Sequence, residues 1–134
     1  MKRSKKSRQR SGATIVEFAI VAPLLFLFFF AAMEFCRVAM IRHTADNAVY
    51  EGCRVGIIPG ATVSEVNTEA TRILNSLGVT NVSIDVKPGK IDRKTDEVTV
   101  RIVVPLDDNS FVPNQFFSGR SITRELTLRR EGVR

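Results

Sequence analysis

The stretch Ala13-Thr-Ile-Val-Glu-Phe-Ala-Ile-Val-Ala-Pro-Leu-Leu-Phe-Leu-Phe-Phe-Phe-Ala-Ala-Met33 decides how the chain is read: 21 residues that contain one charge, Glu17. A helix of that length, rising 1.5 Å per residue, is about 31 Å long, which matches the roughly 30 Å hydrocarbon core of a bilayer. Six of the nine phenylalanines lie between Phe18 and Phe35, so much of the apolar content serves this segment and not a soluble core. The reading is a membrane-spanning helix over residues 13–33.

The residues before it set its orientation. Lys2, Arg3, Lys5, Lys6, Arg8 and Arg10 stand in the first twelve positions with no acid among them, while the whole chain carries 20 basic and 14 acidic groups and a formal charge of +6. Residues 13–134 are therefore formally neutral. A nucleic-acid binder needs basic groups spread over a folded face, and here the excess is a short tail, so no nucleic-acid partner is expected. A basic flank directly before a span stays cytoplasmic. The expected localisation is the inner (cytoplasmic) membrane, single-pass, with residues 1–12 as a cytoplasmic leader and everything beyond the span outside. A cleaved secretory signal is the rival. Its apolar core is typically about 7 to 15 residues and ends in a small-x-small site, whereas this run is longer and Ala31-Ala32 is flanked by Phe30 and Met33.

Beyond Met33 the helical period continues. Val38, Ile41, Ala45, Ala48, Val49 and Gly52 recur at spacings of three and four, with Glu34, Arg37, Arg42, Asp46, Asn47, Tyr50, Glu51 and Arg54 between them, the pattern of an amphipathic helix. Span and continuation (residues 34–55) form one helix from about Thr14 to Val55, ended by Gly56 and Pro59-Gly60. Thr62 with Glu65 forms a capping box for a second helix from Val63 to Leu77, and Gly78 suits the position past its end. The period then becomes two. Val82, Ile84 and Val86; Val98, Val100, Ile102 and Val104; and Ile122, Leu126 and Leu128 each alternate with mostly polar residues, which predicts a three-stranded antiparallel meander. Pro88-Gly89-Lys90 opens its first connection, and Asp107 to Gly119 forms the second. The fold class is α+β, with residues 56–134 as a small head that leans on the amphipathic half of the long helix because so short a chain buries little core.

Several residues carry the functional question. A carboxylate at mid-membrane costs roughly 2.5 to 3.5 kcal/mol, less near an interface, so Glu17 is either functional or snorkels toward the basic flank. Pro23 removes the helical hydrogen bond to Ala19, which predicts a kink. Ala45, Ala48, Gly52 and Gly56 make a stripe of small residues that suits either a subunit contact or close packing on the protein's own sheet, the second being the simpler use. Cys36 and Cys53 lie 17 residues apart on one helix, about 25 Å, too far for a disulfide. Cys36 reads as a small buried hydrophobe. Cys53 reads as a free thiol, with pairing between chains in an oxidising compartment as the other option. His43, the only histidine, reads as a solvated helix residue. No metal-ligand spacing and no phosphate-binding glycine loop is present, so no cofactor and no enzymatic activity is expected. Asp96-Glu97 and Asp107-Asp108 read as solvated turn or strand-edge carboxylates.

The order Arg10-Ser-Gly-Ala-Thr-Ile-Val-Glu-Phe18 resembles the processing site of type IV pilin-like precursors, where a basic leader ends in Gly and an acid stands fifth after the scissile bond. Gly12-Ala13 would be that bond. Val16-Glu-Phe-Ala-Ile-Val-Ala-Pro-Leu-Leu25, with Phe18 after the acid and Pro23 in the span, resembles more narrowly the TadE-like family, the pseudopilins of tight-adherence (Flp) pilus systems. Glu34 with Arg37 and Glu51-Gly52-Cys53-Arg54 fit that family too. The likeness is strongest over residues 10–55 and only general beyond. It implies a pilin-like fold and a structural protein. It also implies a prepilin peptidase, other pseudopilins or the major pilin, the inner-membrane platform and the lipid bilayer as partners. In such assemblies the acid, here Glu17, neutralises the N-terminal amine of a neighbouring subunit. Members differ in whether the leader is removed. The alternative is a secreted or membrane-tethered binding module held by a signal-anchor, for which Phe111, Phe116, Phe117 and Arg120 are the only approach to an exposed aromatic and arginine cluster. A satellite core under the long loop explains those residues equally.

Overall fold

Span and amphipathic continuation are a single helix. The computed structural model of the chain describes residues 7–111 and 119–130, with side chains from Gly12 onward. Helix α1 runs from Ser7 to Gly56, 50 residues, without interruption at Pro23. Its length is therefore about 75 Å. It begins upstream of Thr14, inside the basic leader, where Arg and Gln are good helix formers, so the Gly12-Ala13 bond lies within regular helix and marks no structural boundary.

Helix α2 (Val63–Ser76) has the expected ends. Thr62 accepts from the backbone N–H of Glu65 while the Glu65 carboxylate accepts from the backbone N–H of Thr62 at 2.8 Å. At the other end Gly78, at φ +66°, donates to the Asn75 carbonyl, and Val79 donates to Leu74. These are the two bonds of a Schellman turn, and a Cβ at such a φ would be strained. Val66, Ala70, Ile73 and Leu74 are the buried stripe.

Strands β1 (Ser83–Lys87), β2 (Glu97–Pro105) and β3 (Ser121–Arg129) form one antiparallel sheet in the order β1-β2-β3. The register places Val86 beside Val100, and Val100 beside Leu126. On the inner face Val98, Val100, Ile102 and Val104 are fully buried. The outer face is polar: Thr99 and Thr127 share a hydrogen bond of 2.8 Å, and Arg101 stands between Asp85 and Glu125, 3.8 Å from the latter. Such exposed pairs contribute at most about 1 kcal/mol each. One residue departs from the alternation. Arg124 occupies an inward position on the edge strand, opposite Ile102, and its Nε lies 2.7 Å from Asp46 Oδ1 on α1. A charge turned inward on an edge strand discourages pairing with foreign strands.

The core is built on the upper half of α1. Ile41, Ala45, Ala48, Val49 and Cys53 are buried against α2 and the sheet, so the small-residue stripe packs on the protein's own head. A Cβ at Gly52 would meet Val66, Ala70 and Val100 at ordinary contact distances of 3.6 to 3.7 Å, whereas one at Gly56 would come within 2.8 Å of Val98 Cγ1. The end of α1 is held by a residue that sequence reasoning had left unassigned. Arg130 is buried, and its guanidinium donates to the carbonyls of Gly56, Ile57, Ile58 and Asp92. A cation on the last carbonyls of a helix also complements its dipole.

The two glycines should respond oppositely to alanine. Gly52→Ala is expected to be neutral or to stabilise by up to about 1 kcal/mol through helix propensity. Gly56→Ala should lower the chemical-denaturation midpoint of the detergent-solubilised protein, since overpacking costs about 1 to 3 kcal/mol.

Candidate functional site

The lower half of α1 has nothing packed on it. From Ile15 to Phe35 its large apolar side chains are exposed, Phe18 at 71% and Phe28 at 73%. This is the one helix among the described residues long and apolar enough to cross a membrane, and none of its apolar window is buried. It fits a single-pass anchor. Gly12, Ala13, Glu17, Phe18 and Pro23 all lie on this bare stretch and all are exposed. Nothing stands within 4 Å of where a Gly12 Cβ would be, so the Gly12-Ala13 peptide bond can be approached from its side. Glu17 follows Ala13 by four residues. That spacing puts the two on one helix face, about 6 Å apart along the axis.

Where the span ends, the head grips the helix. Glu34, expected on the solvent face, is instead buried, and its Oε2 accepts from the backbone N–H of Phe111 at 3.0 Å. Arg37 also points inward: Nε donates to the Asn109 carbonyl at 3.1 Å and a terminal nitrogen donates to Leu77 at 3.2 Å. Its guanidinium carbon lies 5.0 Å from the Phe111 ring centroid. Buried Asn109 completes this collar. Its side chain accepts from the Thr80 N–H at 2.8 Å and donates to the carbonyls of Thr80 and Pro105 at 2.9 and 2.7 Å. Helix period alone placed Glu34 and Arg37 among the polar residues. It could not show that the head supplies polar backbone at that level, which makes a polar inner face the favourable one. Asn109 and Arg130 had no sequence signal beyond their polarity.

The second stretch of interest, Glu51-Gly52-Cys53-Arg54, divides by direction. Glu51 and Arg54 face solvent and pair at 2.7 Å, while Gly52 and Cys53 face the core. They border an open depression of about 400 Å³ between α1 and α2, where Glu69 and Arg72 form a second exposed pair. The hydrogen bond from Arg72 holds Glu69 below its ordinary pKa. Among the described residues no group of three or more His, Cys, Asp or Glu converges on a common point. His43 is exposed, as expected for a solvated helix residue. Phe111 is exposed beside Arg37, and Phe116 and Phe117 lie outside the described residues.

Of the two cysteines, Cys36 departs from its expected environment and Cys53 is a free thiol as expected. Cys36 is exposed, not buried, because the head does not reach that side of α1. Cys53 has no exposed surface, and its Sγ donates to the Leu126 carbonyl at 3.1 Å, which leaves no access for a disulfide between native chains. Burial pushes the Cys53 thiol above its ordinary pKa, against backbone hydrogen bonds at Val100 and Leu128 that pull the other way.

A maleimide should label Cys36 in the native detergent-solubilised protein and Cys53 only after unfolding. Below the ordinary thiol pKa both folded and unfolded chains keep the Cys53 proton; as pH rises through that value the unfolded chain loses it first, so stability should fall on the alkaline side and Cys53→Ser should flatten that fall. For the collar, Arg37→Met removes both donors to the Leu77 and Asn109 carbonyls and should cost about 1 to 3 kcal/mol in denaturant unfolding.

The match to known proteins covers this helix. Residues 12–54 match the family model of the TadE-like proteins. No curated protein and no solved structure matches the chain. The matched region starts at Gly12, takes in Glu17, Pro23 and the collar residues Glu34 and Arg37, and stops at Arg54, two residues before the end of α1. From Gly12 to Arg54, the helix that carries both the anchor and the collar is TadE-like.

Proposed function

We propose that the protein is a membrane-anchored structural component, a TadE-like pseudopilin or assembly factor, of a tight-adherence (Flp) pilus system. It sits in the inner membrane with its leader cytoplasmic and its head outside, and it is not a catalyst. One observation carries the reading: a lone carboxylate, Glu17, on the bare apolar half of α1, one turn after the exposed Gly12-Ala13 bond. A prepilin peptidase cutting there would remove the six leader charges and leave a new amine on Ala13. An amine and a carboxylate both cost free energy in lipid, and pairing them between neighbouring subunits offsets both costs. Glu17 with Phe18 is then the assembly element, Pro23 bends the span, and the partners are other pseudopilins or the major pilin together with the inner-membrane platform. Of the residues considered for a binding module, Phe111 is tied to α1 by Glu34 and Arg37 and so belongs to the junction of head and anchor.

N-terminal sequencing of the membrane-extracted protein, with and without a co-expressed prepilin peptidase, tests the route. The expected terminus with the peptidase is Ala13; a terminus near Ala32 would make the segment a conventional signal and overturn the proposal. Glu17→Gln should insert in the membrane as the native chain does yet lose cross-linking to pilus components. Unchanged cross-linking would remove Glu17 from assembly.

A further inference from the structure

Phe111 lies where head and anchor meet, and its surroundings fix its height on the helix. Its backbone N–H is held by Glu34, its ring stands beside Arg37, and the side chain remains 62% exposed. The two polar side chains directly before it are engaged: Asn109 is spent on Thr80 and Pro105, and Ser110 donates to the Leu106 carbonyl. Phe111 itself presents its ring outward.

The level of that ring along α1 follows from the bare apolar run. Ile15 to Phe35 is exposed throughout its large side chains, and twenty steps of 1.5 Å give about 30 Å, the thickness of the hydrocarbon core. Glu34 lies at the upper end of that run and Arg37 one turn above it. Phe111, tied to both, stands within about one helical turn of the plane where hydrocarbon ends. Exposed Met33 and Phe35 surround the helix at the same height, so the ring continues an apolar surface that already faces lipid. Amphipathic and aromatic side chains at this depth anchor membrane proteins in the interface.

We propose that Phe111 docks on the bilayer interface, giving the head a second membrane contact that sets the tilt of the head and the upper half of α1 together. The inference rests on the reading of α1 as a membrane span. Glu34 is the positioning residue: its carboxylate fixes the loop backbone so that the ring faces the lipid.

The chain has no tryptophan, so one introduced by substitution is a sole reporter. The full-length variants Phe111→Trp, Phe28→Trp and Tyr50→Trp would be reconstituted singly in phosphatidylcholine and phosphatidylglycerol vesicles containing lipids brominated near the glycerol end or near the centre of the acyl chain. Phe28→Trp should be quenched most by the deep bromines, and Tyr50→Trp, about 24 Å above Glu34 on the helix, by neither. Phe111→Trp should be quenched about twofold more by shallow than by deep bromines, as an interfacial ring is. Adding Glu34→Ala should weaken that quenching while leaving the Phe28→Trp signal unchanged. Deep quenching of Phe28→Trp with none for Phe111→Trp would overturn the docking and leave the anchor standing. Blue-shifted Phe111→Trp emission insensitive to bromine would instead place a neighbouring protein there and overturn it equally. Absence of quenching for Phe28→Trp would overturn the span itself and the docking with it.

Discussion

One helix has to satisfy two solvents. Below Phe35 the large apolar side chains of α1 are exposed on every side, as fits a membrane anchor; above that level one side must bury itself in a head too small to build its own core. Everything else follows from that division. The sheet and α2 pack on the upper half because Ala45, Ala48, Gly52 and Gly56 let them come close, and Arg130 closes the end by capping the last carbonyls of the same helix. A head assembled this way is inseparable from the top of its anchor.

The two carboxylates on α1 are handled in opposite ways. Glu34 stands at the upper edge of the apolar run, where an uncompensated charge would be costly, and the loop at Phe111 brings a backbone donor to it. Arg37 one turn higher uses carbonyls of the head for its own donors. Both side chains are engaged by the head. Glu17 lies four residues beyond Ala13 among Thr14 and exposed apolar side chains, with no described part of the head near it. No described part of the head compensates its charge, so the assembly role proposed above falls on Glu17 and not on Glu34.

How much of this was legible in the sequence depends on how local the determining physics is. The capping box at Thr62 and Glu65, the Gly78 stop, the three strands and the unbroken helix rest on contacts within a few residues, and pattern reading reached them. The span and the TadE-like order around Glu17 were equally plain because they are contiguous. Glu34 and Arg37 were assigned to the wrong face since helical periodicity sorts residues by polarity, and here the buried side of one turn is polar because a loop 70 residues away lines it with carbonyls and an N–H. Arg124 fell out of the strand alternation for the same kind of reason, its partner Asp46 being on another element. Cys36 was misplaced because its exposure depends on how far the head wraps α1, a tertiary quantity, whereas Cys53 is the free thiol it was read as.

The division of α1 also restricts what can change during assembly. Repacking the upper half would break the core at Ile41, Ala45 and Cys53, along with the collar and the Arg130 cap, so that part moves as one body with the head. Among the described residues the lower half packs on no other element, so exchanging lipid for a neighbouring helix there breaks none of the described tertiary contacts. Association between apolar helices gains little from the hydrophobic effect in a membrane, where lipid is as apolar as leucine. A selective term is needed to prefer a protein neighbour over lipid. On the bare surface of α1 beyond Ala13 the sequence supplies a single charge for it, Glu17.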